Sequence, residues 1–313
     1  MYTRLLQYTL LMSVVLASFT AHGACKARNV VLQVLGSGGP ELNDGRASTG
    51  YLLWHENRAK VLIDAGSGTS LAFGKAKANV NDVEAILLSH LHVDHVNDLP
   101  AYIKGSYFTG RTMPMRILGP AGNALMPATS VYISRLLGES STYPYLKEYI
   151  LSGTDSDYKI TTQDIGLNTR NPVSFAINDA IKVRGIGVDH GPVAALGWRV
   201  DIGACSISFS GDTTNKTDGF ARLAKGSDIV VMHNAIPEEA SKEAKALHMT
   251  PTEIGRLARD IGTPHIVISH RMNRTNGIEL ETTKAIRQHY SGSISFAEDM
   301  SVFRVGHIEA EKL

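Results

Sequence analysis

His90-Leu91-His92-Val93-Asp94-His95 directly follows the apolar run Val83-Glu84-Ala85-Ile86-Leu87-Leu88-Ser89. The run predicts a buried strand, and the six residues after it a loop that turns into a helix. Imidazoles at i and i+2 of an extended segment point to the same side. Asp94 and His95 stand where the chain reverses, so they can face a neighbouring position. Four good ligands within six residues cannot all serve one tetrahedral ion and still leave it an open position. The spacing therefore predicts a pair of ions, with His90 and His92 on one and Asp94 and His95 on the other. The competing reading is a solvated polar loop, but three histidines and an aspartate behind a buried strand are a poor match to it.

Outward from this loop, short apolar β-rich runs alternate with helical patterns. Residues 30–35 predict a strand stopped by Gly36-Ser37-Gly38-Gly39-Pro40, and residues 51–54 and 60–63 the next two, the last ending at Asp64-Ala65-Gly66. A helix is predicted over 99–108 and a strand over 115–118. The more polar stretch from about 138 to 170 reads as an excursion from the core. Further strands are predicted over 181–188, 197–202, 205–210, 229–232 and 265–269. Thr250-Pro251-Thr252-Glu253 has the pattern of a capping box with Pro in the first turn, and that helix stops at Gly262. A last helix is predicted over 281–290. The class is α/β, without repeats, linkers or low-complexity segments.

Composition agrees. With 43% hydrophobic and 19% charged residues the chain is too apolar for disorder, and its two cysteines are too few for a disulfide scaffold. The first 24 residues are read as a signal peptide: Arg4, an uncharged stretch richest in apolar residues over 10–17, then Ala21-His22-Gly23-Ala24. An uncleaved anchor is the alternative, but the apolar core is short against the roughly 20 residues of a membrane span. Residues 25–313 are then one domain without a stable membrane span, in the periplasm or secreted. Lys plus Arg is 31 and Asp plus Glu is 30; Arg4 is the only one of these before residue 25, so the remainder balances at 30 against 30. Such balance provides no footprint for gripping long nucleic acid. In an oxidising compartment Cys25 and Cys205 could pair, and unpaired thiols fit equally well.

The His-x-His-x-Asp-His loop after a strand resembles the signature of the metallo-β-lactamase fold superfamily. Gly36-Ser37-Gly38-Gly39-Pro40 and Leu62-Ile63-Asp64-Ala65-Gly66 are similar to its early landmarks. His190 in Val188-Asp189-His190-Gly191 resembles the third histidine of the first zinc site. Gly211-Asp212-Thr213 resembles the segment with the bridging aspartate, and His270 in Ile268-Ser269-His270 the final ligand. Ala195-Leu196-Gly197-Trp198-Arg199 and His248-Met249-Thr250 bring the chain nearest to the branch of the tRNA 3′-processing endonuclease RNase Z and the zinc arylsulfatases.

The resemblance implies a four-layer αβ/βα sandwich and a two-zinc centre built from His90, His92, Asp94, His95, His190, Asp212 and His270. Manganese or iron would also suit such ligands. Asp64 is expected to bind backbone amides and hold the loop, a supporting task. Asp94 is expected to orient a bridging hydroxide and His248 to protonate the leaving oxygen, which makes these two the catalytic residues. His55, His265, His289 and His307 have no motif around them.

The branch usually has His-Glu where this chain has His233-Asn234, so the carboxylate thought to tune the acid histidine is missing. Residues 138–170 lack a Gly-Pro-rich basic arm and contain Tyr143, Tyr145, Tyr149 and Tyr158, which suit a pocket wall or plain packing. With export, these features predict a small phosphodiester or sulfate ester as substrate, and tRNA is not expected. Acyl hydrolysis of a β-lactam or lactone, and metal binding without turnover, are the alternatives; a homodimer is left open.

Overall fold

The computed structural model describes Cys25 and residues 29–306, with the backbone of a short strand at 310–311. Residues 1–24, read as a signal peptide, and His307 lie outside the described residues. Two mixed sheets face each other. The first is built from β1 (Val30–Gly36), β2 (Gly50–His55), β3 (Arg58–Ile63), β4 (Ala85–Leu87), β5 (Met115–Pro120) and β6 (Ile160–Ile165). The second contains β7 (Val173–Ala176), β8 (Ile181–His190), β9 (Val193–Ile202), β10 (Cys205–Phe209), β11 (Ile229–His233), β12 (His265–Ser269) and β13 (Ser293–Phe296). The chain then returns to the first sheet as β14 (Val302–Arg304) and β15 (Ala310–Glu311), giving the orders β15-β14-β1-β2-β3-β4-β5-β6 and β13-β12-β11-β10-β9-β8-β7. Each sheet is antiparallel in one half and parallel in the other.

Side chains alternate along each strand, and both faces are covered. Val30, Leu32, Val34, Tyr51, Leu53, Val61 and Ile63 point to the other sheet, where they meet Trp198, Val200, Phe209 and Val231. Leu35, Leu52, Leu62 and Ile86 point outward, under α1 (Thr69–Lys75), α3 (Leu99–Ser106), which follows the single turn α2 (Val93–Val96), and α4 (Thr129–Leu137). The outer face of the second sheet is covered by α5 (Gly219–Ala224), α7 (Pro251–Ile261), which follows the short α6 (Lys242–Lys245), and α8 (Glu279–Arg287). The result is the expected α/β four-layer sandwich.

The capping box of α7 forms as read: Thr250 Oγ1 accepts from Glu253 N, Glu253 accepts from Thr250 N, and Gly262 ends the helix at φ 72°. Residues 138–170 differ from expectation, because they are not an excursion throughout. Their end is β6, the edge strand beside β5, and Tyr149 and Tyr158 are buried, with Tyr158 hydrogen-bonded to Ser106. The segment reads as polar because the middle of β6, Thr161-Thr162-Gln163-Asp164, lies exposed or half-buried at the sheet edge. Cys25 and Cys205 are disulfide-bonded, which ties the start of the described chain to β10. Among the described residues, no helix is long and apolar enough to cross a membrane.

Candidate metal centre

Every proposed ligand lies just beyond, or at, the carboxyl end of a strand. His90, His92, Asp94 and His95 follow β4; His190 ends β8; Asp212 follows β10; His270 follows β12. Strand ends of two facing sheets are where side chains far apart in sequence can converge. The loop after β4 is fastened to the opposite sheet by two bonds: Leu196 N donates to Ser89 O (2.8 Å) and Trp198 Nε1 to Leu88 O (3.1 Å). These come from the Ala195–Arg199 phrase, whose part in the site is thus to hold the loop. Gly211, at φ 58°, is required there, since a Cβ would stand 2.8 Å from Leu196 O.

The side chains form two groups that share one carboxylate. His90, His92, His190 and Asp212 have one donor atom each within 4.8 Å of one another, and so do Asp94, His95 and His270. His90 Nε2 lies 2.9 Å from His92 Nδ1, as the i, i+2 spacing predicts. Asp212 Oδ2 is 3.7 Å from His190 Nε2, 4.0 Å from His90 Nε2 and 3.9 Å from His95 Nε2. His270 Nε2 is 3.4 Å from Asp212 Oδ1 and 3.3 Å from Asp94 Oδ2. The seven residues chosen from sequence therefore meet, and His248 joins them with Nδ1 3.9 Å from Asp212 Oδ2. His265 pairs with Ser295, and His55 and His289 stay outside the cluster.

Supporting contacts fix several of these groups. Asp64, at φ 55°, accepts from Ser89 N and Ser89 Oγ (both 2.7 Å) and faces His95 Nδ1 at 2.8 Å. Asp64 thus takes one amide, one hydroxyl and one imidazole where amides alone were expected. His190 Nδ1 donates to Leu247 O (2.9 Å), which turns Nε2 toward the cluster. His270 sits at φ 51°, and its neighbour Arg271 is buried between Glu279 and Glu298. Two non-glycine residues in the left-handed region flanking one cluster mark a place where the surrounding structure dictates the backbone.

Electrostatics fit a cation. The buried Nε2 atoms of His95, His190 and His270 have no hydrogen-bond partner, although buried polar atoms are nearly always paired. Burial drives His90 and His92 down, so both are neutral imidazoles ready to donate a lone pair. Burial would raise Asp94 and Asp212, yet facing imidazoles hold both below the usual carboxylate range. His95 overcomes burial and rises to about 9 because Asp94 and Asp64 face it. Asp212 and Asp94 raise His270 in the same way. Two orphaned sets of donors around a shared carboxylate fit a divalent metal centre.

The sequence profile of the Beta-lactamase superfamily domain matches residues 59–271. The chain belongs to the metallo-β-lactamase fold superfamily, close to its RNase Z branch, and is a metal-dependent hydrolase. It is 24% identical over 306 residues to a Ribonuclease Z of Enterococcus faecalis, covering 88% of this chain and 97% of that one. The fold is similar to human tRNase Z, short form (TM-score 0.69, 19% identity, 88% of this chain and 99% of that one). It also resembles the metallo-β-lactamase fold protein YhfI from Bacillus subtilis (TM-score 0.67, 20% identity, 88% and 98%).

These relatives overturn the expectation that tRNA is not a substrate. Balanced net charge averages over the whole surface, while gripping a phosphate backbone needs only a local set of cations.

His233 is the residue that sequence reasoning left without a role. It ends β11, is buried, and its Nδ1 lies 2.7 Å from Asp212 Oδ1. The available signal was position: like Asp212 and His270, it stands where a buried strand of this sheet runs out.

Proposed function

We propose that the protein is an exported phosphodiesterase whose seven-residue cluster holds two divalent ions, zinc first among them. The observation that supports this reading best is that Asp212 belongs to the first ligand group and also lies 3.9 Å from His95 and 3.4 Å from His270 of the second. Both groups lie at one edge of the sandwich. When bound, the ions would supply Lewis acidity and a hydroxide at neutral pH. Asp94, ionised despite burial, orients the attacking water and accepts its proton through Oδ2. His248, mostly buried beside Asp212, is placed to pass a proton to the departing oxygen, although burial drives it down to about 3 and leaves the resting ring neutral. The relatives named as ribonucleases act on RNA, whose linkage is a phosphodiester, and this places RNA among the substrates to test. Export is supported by the N-terminal pattern and by the Cys25–Cys205 pair, since disulfides persist in oxidising compartments.

One observation favours acyl hydrolysis as a second reading. Asn234 stands where the branch has a carboxylate, and its buried Oδ1 has no partner, so the acid histidine has lost an expected tuning group. Carbonyl attack depends less on a general acid. The deciding experiment is metal analysis of the purified protein with a hydrolysis panel: bis(p-nitrophenyl) phosphate, p-nitrophenyl sulfate, nitrocefin and a 3′-extended tRNA. Chelator-sensitive turnover of a phosphodiester supports the proposal. Turnover of nitrocefin alone would replace it by the acyl reading.

A further inference from the structure

Behind the shared carboxylate runs a buried chain of three side chains: Tyr51 on β2, His233 at the end of β11, and Asp212. Tyr51 OH is 3.0 Å from His233 Nε2, and His233 Nδ1 is 2.7 Å from Asp212 Oδ1. The chain crosses from the first sheet to the second. Tyr51 is fully buried, and Phe209, 5.4 Å away between ring centroids, packs against its ring.

We infer that His233, held by Tyr51, is a positioning residue that fixes the orientation of the Asp212 carboxylate between the two ligand groups. This inference rests on the metal-centre reading above. Asp212, His233 and His270 are close enough to form a ligand group of their own, but hydrogen bonding argues against it. An ionised carboxylate at 2.7 Å requires the proton on His233 Nδ1. Nε2 of the neutral ring is then the acceptor, and the Tyr51 hydroxyl donates to it. Both ring nitrogens of His233 are therefore occupied. In contrast, both ring nitrogens of His270 are buried without a partner. His270 has a lone pair to give, and His233 has none.

The same bond divides the work of the two carboxylate oxygens. Oδ1 accepts from His233 and lies 3.4 Å from His270 Nε2, while Oδ2 faces His190, His90, His95 and His248 at 3.7–4.0 Å. Without His233, the carboxylate could rotate and lose this division between its oxygens. Outer hydrogen-bond partners of metal ligands are typically worth about 10–100-fold in metal affinity.

The test compares wild-type protein with His233→Ala, His233→Asn and Tyr51→Phe. Each is stripped of metal, then titrated with zinc against a competing chelator and with cobalt while its absorption spectrum is followed. His233→Ala is expected to weaken zinc binding about 10–100-fold and to change the cobalt spectrum. His233→Asn places an amide N–H where Nδ1 was and should recover most of both. Tyr51→Phe leaves the bond to Asp212 and should cost less than His233→Ala. Wild-type affinity and spectrum in His233→Ala would overturn the inference. Should that variant fail to fold, failure of His233→Asn to hold metal better than a 100-fold loss would do the same. A merely packing role would lower the melting temperature of the metal-free protein and leave the cobalt spectrum unchanged. A wild-type protein that binds no ion would instead sink the metal-centre reading, a separate result.

Discussion

The two ligand groups differ in charge, and the difference shows how one fold can build unlike sites a few ångströms apart. The group of His90, His92 and His190 has three imidazoles and only the shared Asp212 for charge. The group of Asp94, His95 and His270 has its own carboxylate besides. Burial keeps the imidazoles of His90 and His92 neutral, whereas carboxylates raise His95 to about 9 and push His270 up as well. In the first group an ion meets open lone pairs. In the second it must displace the proton that His95 holds.

Asp212 belongs to the first group and faces His95 and His270 of the second, so Asp212→Ala should have the largest effect. Both ions are expected to be lost and turnover to fall by more than about 10³-fold, with metal analysis and kinetics as the readouts. Next comes Asp94→Asn, which removes the proton acceptor and one ligand from the second group alone. Turnover should drop about 10²–10⁴-fold while the circular dichroism spectrum stays native. Wild-type rates with full metal would show that Asp94 is only a ligand.

Single ligand deletions sharpen the contrast. His190→Ala should leave one ion, bound by the second group, and His270→Ala one ion bound by the first. Loss of both ions in either variant would mean that the groups are not separable.

Acidity divides the groups as well. A histidine whose pKa is raised must lose its proton before it can bind metal, so affinity at that position falls as pH drops below the raised value. The second ion should therefore bind more weakly as pH falls from about 9 toward neutrality. His90 and His92, already neutral, should show little change over that range. Zinc titrations at several pH values would settle this.

The smallest effect on the centre is expected from Cys25→Ser. The bridge closes a loop spanning 180 residues, so its removal should cost about 2–4 kcal/mol of stability and leave metal content unchanged.

Much of the site was legible because its chemistry is local. His90, His92, Asp94 and His95 lie within six residues, and the extended backbone dictates which side His90 and His92 share. His190, Asp212 and His270 were reachable by family pattern, since each ends a buried strand. His233 was not, because its partners Asp212 and Tyr51 lie 21 and 182 residues away and no local spacing joins them. Residues 138–170 were misread for a similar reason. An edge strand with one wet side has the composition of a loop until its pairing with β5 is seen.

The amino-acid order alone determined most of the strands, where the ligand-bearing loop falls and which residue types can hold a cation, because periodicity and ligand chemistry act over a few neighbours. The packing of one sheet on the other decided which carboxylate is shared, which imidazoles keep a free lone pair, and that His233 is bound on both nitrogens. Those outcomes depend on distances between strands far apart in the chain, and they exist only once the two sheets have met.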